Sequence, residues 1–124
     1  MYLLDTNIVI DFCNSKLPDE AKVLFMGIIP AISFITKIEL FASSKISAKE
    51  KTSLEAFVKM SIVYNLIDQL IMAKTINIRQ VYKTKLPDAI IAATALVNDL
   101  ILVTRNTSDF KNIEGLQIVD FHNL

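Results

Sequence analysis

The stretch Tyr2-Leu3-Leu4-Asp5-Thr6-Asn7 decides the fold. Tyr2-Leu3-Leu4 is a short apolar strand, and helical spacing takes over from Asn7 to Asn14. The same hand-over recurs along the chain. Asp19–Met26 is a second predicted helix, stopped by Gly27. Ile28–Phe34, interrupted by Pro30, is a second strand, and Thr36–Ser43 and Ser47–Met60 are two further helices. Ser61-Ile62-Val63 suggests a third strand. Leu66–Tyr82 then places Leu66, Leu70, Ala73, Ile76 and Val81 at helical spacing. Pro87 opens a helix over Asp88–Val97 that is apolar nearly all round, which predicts a central position. Ile101-Leu102-Val103-Thr104 and Leu116–Phe121 complete the strands. Short apolar strands alternating with helices predict an α/β sandwich with a mainly parallel sheet.

Length and charge narrow the function. The 124 residues make one expected domain, 1–124, long enough to bury about two-thirds of its unfolded surface. Hydrophobic residues are 52% and charged ones 21%, which excludes a disordered chain. Thirteen basic and thirteen acidic side chains balance to zero, which argues against a nucleic-acid binder held by bulk charge. Any such contact must come from a local patch or a bound metal ion. With Cys13 and His122 the lone cysteine and histidine, neither an internal disulfide nor a Cys/His zinc cluster can form. The N-terminus does not read as a signal peptide, and no apolar run approaches the ~18 residues of a membrane span, so the cytosol is the expected compartment. A mean hydropathy of +0.44 is high for a monomer of this size and predicts a buried partner surface as well as a core.

In parallel sheets, function gathers at the carboxyl ends of the strands. Asp5 ends the first strand, Glu39 follows the second, Asp88 sits in the first turn of the central helix, and Asp109 lies just past Thr104. Each has a structural alternative. Asp5 can cap the helix after it; Thr36-Lys37-Ile38-Glu39 matches a capping box, as does Ser47-Ala48-Lys49-Glu50; Asp88 suits a helix N-terminus; Asp109 can cap a short turn after Ser108. Their joint placement favours convergence. Two carboxylates about 4 Å apart repel by about 4 kcal/mol at an effective dielectric near 20, so four together need protons, basic partners or a metal. An all-oxygen set suits Mg²⁺ or Mn²⁺, which activate water and steady charge on a phosphoryl group. Between Asp68 and Asp88 stand Lys74, Arg79, Lys83 and Lys85 with no acid, a stretch able to guide a phosphate backbone. Tyr82 within it can stack on a base or pack in the core.

Four motifs then carry a resemblance: Leu3-Leu4-Asp5-Thr6-Asn7, Ile38-Glu39-Leu40, Asp88-Ala89-Ile90-Ile91-Ala92-Ala93, and Thr104-Arg105-Asn106-Thr107-Ser108-Asp109-Phe110. In this order and over the whole chain they resemble the PIN-domain ribonucleases, and among those the VapC-type toxins of type II toxin–antitoxin pairs. The resemblance implies a single three-layer α/β/α domain and an Mg²⁺-dependent endoribonuclease, with Mn²⁺ able to substitute. It makes Asp5, Glu39, Asp88 and Asp109 the metal-binding, catalytic acids. Thr6 and Asn106 would support the site by hydrogen bonds, and Arg105 would join Arg79, Lys83 and Lys85 on the RNA. A metal-bound water would attack phosphorus in line, leaving 5′-phosphate and 3′-hydroxyl ends. A small antitoxin and a homodimer are the implied partners. One departure stands out: many relatives carry an acid two residues after the Thr, where this chain has Asn106, so Asp109 is taken in its place.

Other residues and readings weigh less. Asp11, six positions after Asp5, is expected to face solvent, Cys13 to be a small buried hydrophobe, and His122 to be incidental. Phe12, Phe25, Phe34, Phe41 and Phe57 are expected in the core or a dimer surface. A response-regulator receiver needs an acidic pair after the first strand, and a haloacid-dehalogenase-type phosphatase needs Asp-x-Asp where this chain has Asn7. The remaining alternatives are a non-toxin PIN nuclease of RNA processing and a non-cleaving PIN-like module binding RNA or protein.

Overall fold

The computed structural model describes residues 1–124. In chain order its elements are β1 (Tyr2–Leu4), α1 (Thr6–Cys13), α2 (Asp19–Met26), β2 (Pro30–Ser33), α3 (Phe34–Phe41) and α4 (Ala48–Met60). There follow β3 (Ile62–Tyr64), α5 (Gln69–Tyr82), α6 (Leu86–Val97), β4 (Ile101–Val103), a 3₁₀ turn (Thr107–Asp109) and β5 (Ile118–Val119). The five strands form one sheet in the order β3-β2-β1-β4-β5, and every pairing is parallel. The expected α/β class holds, with the sheet parallel throughout.

Strand alternation builds two cores. Leu3 pairs in register with Ala31 and Leu102, and all three turn to one face, where Ile71 and Ile78 of α5 and the alanines of α6 cover them. Their neighbours Leu4, Ile32 and Val103 turn to the other face, beneath α1, α2, α3 and α4. Both faces are therefore buried, which is why the strands read as unbroken apolar runs rather than alternating ones. Seven consecutive residues of α6, Ala89 to Ala95, are buried, as its all-round apolarity predicts. Phe12, Phe25 and Phe57 pack ring to ring in the second core, with Phe121 against Phe25. Phe34 and Phe41 are half-buried. Cys13 is half-buried, and burial pushes its thiol up.

Several boundaries differ from those the sequence suggests, for local reasons. Pro30 does not interrupt β2 but begins it, at the one strand position where a missing N–H is harmless. Helix α3 starts at Phe34 instead of Thr36, because Ser33 caps it by accepting from Ile35 N–H at 3.1 Å. Thr36 is thus no cap; it lies inside the helix, fully buried. The box at Ser47 is real: its Oγ accepts from Glu50 N–H at 3.1 Å and donates to Glu50 Oε1 at 3.0 Å. Asp68 caps α5 through Ile71 N–H, so Leu66 and Ile67 stand outside the helix. Gly27 ends α2 in right-handed geometry and does not use the left-handed freedom of a glycine.

The strand order places a topological switch at β1. From β1 the chain moves outward through β2 and β3, then returns to the other side of β1 at β4. The crevice beyond the carboxyl ends of β1 and β4 is where such sheets hold ligands.

Candidate acidic active site

Asp5 is the first residue beyond β1. Its backbone N–H still donates to Val103 O at 2.9 Å, so the carboxylate is anchored to the sheet itself. The side chain is buried, 6% exposed, and satisfied on both oxygens. Oδ1 accepts from Thr6 N–H at 2.8 Å, capping α1; Oδ2 accepts from Thr104 Oγ1 at 2.8 Å and Asn7 Nδ2 at 3.3 Å. Burial raises its pKa above the usual carboxylate value; the bonds from Thr104, Thr6 and Asn7 oppose the rise, and Glu39 adds to it. Capping and site-building coexist in this residue.

The other acids arrive from separate segments. Glu39 rides on α3, with Oε1 accepting from Thr6 Oγ1 at 2.7 Å. The same hydroxyl lies 3.2 Å from Thr36 Oγ1. Asp88 is half-buried in the first turn of α6, and its carboxyl is pushed up to about 6, first by burial and then by Asp5, Asp109 and Glu39, with Lys85 opposing. Asp109 closes the 3₁₀ turn after β4, exposed. All three other acids thus act on one carboxyl. None of the four forms an ion pair: the molecule's pairs are Lys22–Asp19 and those of Arg105 and His122 with Asp11.

The remaining expected residues fall in two groups. Asn106 donates its backbone N–H to Thr104 Oγ1 at 3.0 Å. Arg105 donates its backbone N–H to Asn7 Oδ1 at 3.2 Å and turns its guanidinium to Asp11. Arg79, Lys83 and Lys85 are exposed around the α5–α6 connection, with Arg79 Nε donating to Thr84 O at 3.2 Å and Lys83 in left-handed backbone at φ 54°. Tyr82 packs against the first core, and its hydroxyl accepts from Glu114 N–H, which leaves the ring to the core rather than to a base.

Two expectations are overturned. Asp11 does not face solvent: it is 4% exposed, and its Oδ2 accepts from Arg105 Nη1 at 3.0 Å and His122 Nε2 at 2.8 Å. His122, half-buried, is therefore a partner of the buried Asp11 rather than incidental. The sequence gives no sign of a site role for Thr104, Thr36 or Asn7, although Thr104 and Asn7 lie inside the quoted motifs and Thr36 inside a capping-box pattern. Their roles become visible only when β1 and β4 are neighbours.

An all-parallel α/β sheet with unpaired carboxylates at its switch point defines a class of protein built around an acidic pocket. A family model described as PIN domain matches residues 2–116, and the chain belongs to the PIN domain family. Solved structures similar to it include a toxin–antitoxin complex from Klebsiella pneumoniae, 38% identical, covering 100% of both chains with a TM-score of 0.79. DNA-bound VapBC from Salmonella typhimurium is 28% identical over 97% of each chain, TM-score 0.82. VapBC-1 from nontypeable Haemophilus influenzae is 26% identical over 97% of each chain, TM-score 0.78. No protein with a curated description matches the sequence significantly.

Donor chemistry and charge suit a divalent cation: the acids are all-oxygen, mutually repelling and unpaired. Yet no three of them stand close enough to grip one ion. Asp109 is exposed, Glu39 is exposed but bonded to Thr6, and Asp5 is locked in place.

Proposed function

We propose that the protein is an Mg²⁺-dependent endoribonuclease, the toxin of a toxin–antitoxin pair, acting in the cytosol. The observation that carries this is the placing of Asp5 at the end of β1, Glu39 on α3, Asp88 in the first turn of α6 and Asp109 in the turn after β4, with no basic side chain paired to any of the four. A bound Mg²⁺, or Mn²⁺ in its place, supplies water activation and charge stabilisation at a phosphoryl group. Asp5, Glu39, Asp88 and Asp109 would hold it. Asp5 is pre-oriented by Thr104, Thr6 and Asn7, and Glu39 by Thr6. Arg79, Lys83 and Lys85, exposed before Asp88, attract the RNA backbone, while the Arg105 guanidinium is engaged by Asp11.

A groove of about 640 Å³ runs between α1, α3 and α4, lined by Ile10, Cys13, Leu40, Ile46 and Leu54, with Glu39 on its wall. A small antitoxin segment laid there would reach Glu39. The toxin–antitoxin complexes similar to this chain support that partner. Exposed Leu66, Leu70, Ile76 and Val81, on and beside α5, supply an apolar face for a homodimer.

The test is RNA cleavage by purified protein with Mg²⁺, Mn²⁺ or EDTA, beside Asp5→Asn and Asp88→Asn. Cleavage should require the metal and fall by about 100-fold or more in either variant. Equal activity in EDTA, or in both variants, would falsify it. One observation favours a non-cleaving PIN-like binding module instead, namely that no three acids stand at gripping distance. RNA binding without metal-dependent cleavage would select that reading.

A further inference from the structure

The turn from Thr104 to Asp109 carries one of the four acids, and its two ends are held differently from its middle. At one end Thr104 is fully buried and bonded to Asp5; beyond the other, Phe110 is 1% exposed in the core. Arg105 and Asn106 between them are exposed, and no strand pairs with them. What grips this middle section is a single face of α1. Asn7 and Asp11, four residues apart and therefore on one side of the helix, both hold Arg105: Asn7 takes its backbone N–H and Asp11 its guanidinium.

Asp11 is an expensive way to make that contact. Burying a carboxylate costs free energy unless charged donors satisfy it, and here two donors meet one oxygen, Arg105 Nη1 at 3.0 Å and His122 Nε2 at 2.8 Å. His122 is itself fixed from both sides. Phe121 before it is buried among Tyr2 and Phe25, and Asp120 accepts from the His122 backbone N–H at 2.9 Å. The Asp11 carboxylate thus joins three segments, and none of its bonds reaches the four acids directly.

We propose that Asp11 is a positioning residue: with Asn7 and His122 it clasps Arg105, and through it holds the Thr104–Asp109 turn at the edge of the acidic pocket. Asn7 also donates to Asp5, so one helix face ties the anchored acid to the segment that carries the exposed one. Partners beyond the residues that touch a metal fix the geometry of those that do. For its kinetic consequence the proposal rests on the nuclease reading; for its structural consequence it does not.

Two measurements separate these. Hydrogen–deuterium exchange on the full chain without metal compares wild type, Asp11→Asn and Arg105→Ala. Loss of protection should be confined to residues 105–109, with β1, β4 and α6 unchanged. Unchanged exchange in that turn, or faster exchange spread evenly over the sheet, overturns the clasp. If Asp11→Asn does not fold, Arg105→Ala, altered at a half-exposed side chain, decides alone. In RNA cleavage, both variants should lose about 10-fold in kcat with KM within about 2-fold, and Arg105→Lys, which keeps one donor for Asp11, should recover most of the loss. A loss confined to KM, or no recovery in Arg105→Lys, overturns the positioning role and makes Arg105 a direct RNA contact. A wild type that cleaves nothing defeats the nuclease reading, while the exchange result still stands for or against the clasp.

Discussion

Asp88 shows how much one side chain can report. Its carboxyl sits at about 6 instead of 3.8 because it is half out of water and faces Asp5, Asp109 and Glu39. The folded state therefore holds this proton more tightly than the unfolded chain does. That contribution to stability is complete below about 3.8 and is lost as pH rises through about 6. In EDTA, the melting temperature of wild type should fall over that interval relative to Asp88→Asn, which should be the more stable protein at neutral pH. Parallel curves for the two would show that folding does not raise the Asp88 pKa. Cation binding reverses the order: Mg²⁺ at about 100 times its Kd should stabilise wild type by about 2.7 kcal/mol and leave Asp88→Asn unmoved. A thermal melt with and without Mg²⁺ reads both. Asp5 and Asp88 were legible in the sequence because each sits at a strand or helix end. Asp11 was not, since its partners lie 94 and 111 residues away along the chain.

At the scale of elements, the helix starts show why local patterns mislead. Thr36-Lys37-Ile38-Glu39 satisfies the capping-box pattern as well as Ser47-Ala48-Lys49-Glu50 does, yet only the second caps a helix. Three residues upstream of Thr36, Ser33 ends β2 with extended backbone and its hydroxyl free to accept, so α3 begins two residues earlier, at Phe34. That early start carries Thr36 into the buried interior beside Thr6 and puts Glu39 on the Thr6 hydroxyl. Ser33→Ala should cost about 1 kcal/mol in chemical denaturation, the typical value of a lost N-cap. A cost below a few tenths would mean that the start of α3 is set by packing alone. Pro87 marks the start of α6 because its stiffness and missing donor act locally, whereas Gly27 marks the end of α2 without using left-handed geometry.

The whole molecule divides its apolar residues between two cores and an exposed remainder. Leu66 is 81% and Leu70 68% exposed, which accounts for part of a mean hydropathy that a buried core alone does not use up. If these residues form a dimer face, Leu70→Glu should shift the protein from dimer to monomer in light scattering, with the melting temperature of the diluted monomer little changed, as expected for a surface substitution. A wild type that is monomeric at assay concentration would exclude that face. Charge behaves likewise at this scale. The formal balance of zero conceals a division: apart from Asp5, Glu39, Asp88 and Asp109, nine acids remain against thirteen basic side chains.

The sequence by itself determined the order of strands and helices, the all-round burial of α6 and the placing of acids at strand and helix ends. These follow from short-range periodicity, chain stiffness and hydrophobic burial, which need no knowledge of distant residues. Only the tertiary structure decided that β4 returns beside β1. That adjacency gives Asp5 its bond from Thr104 and brings Arg105 onto Asn7 and Asp11, where His122, from the segment after β5, joins them. A hydrogen bond across about a hundred residues leaves no periodic trace in the chain; it exists because two short parallel strands share a sheet.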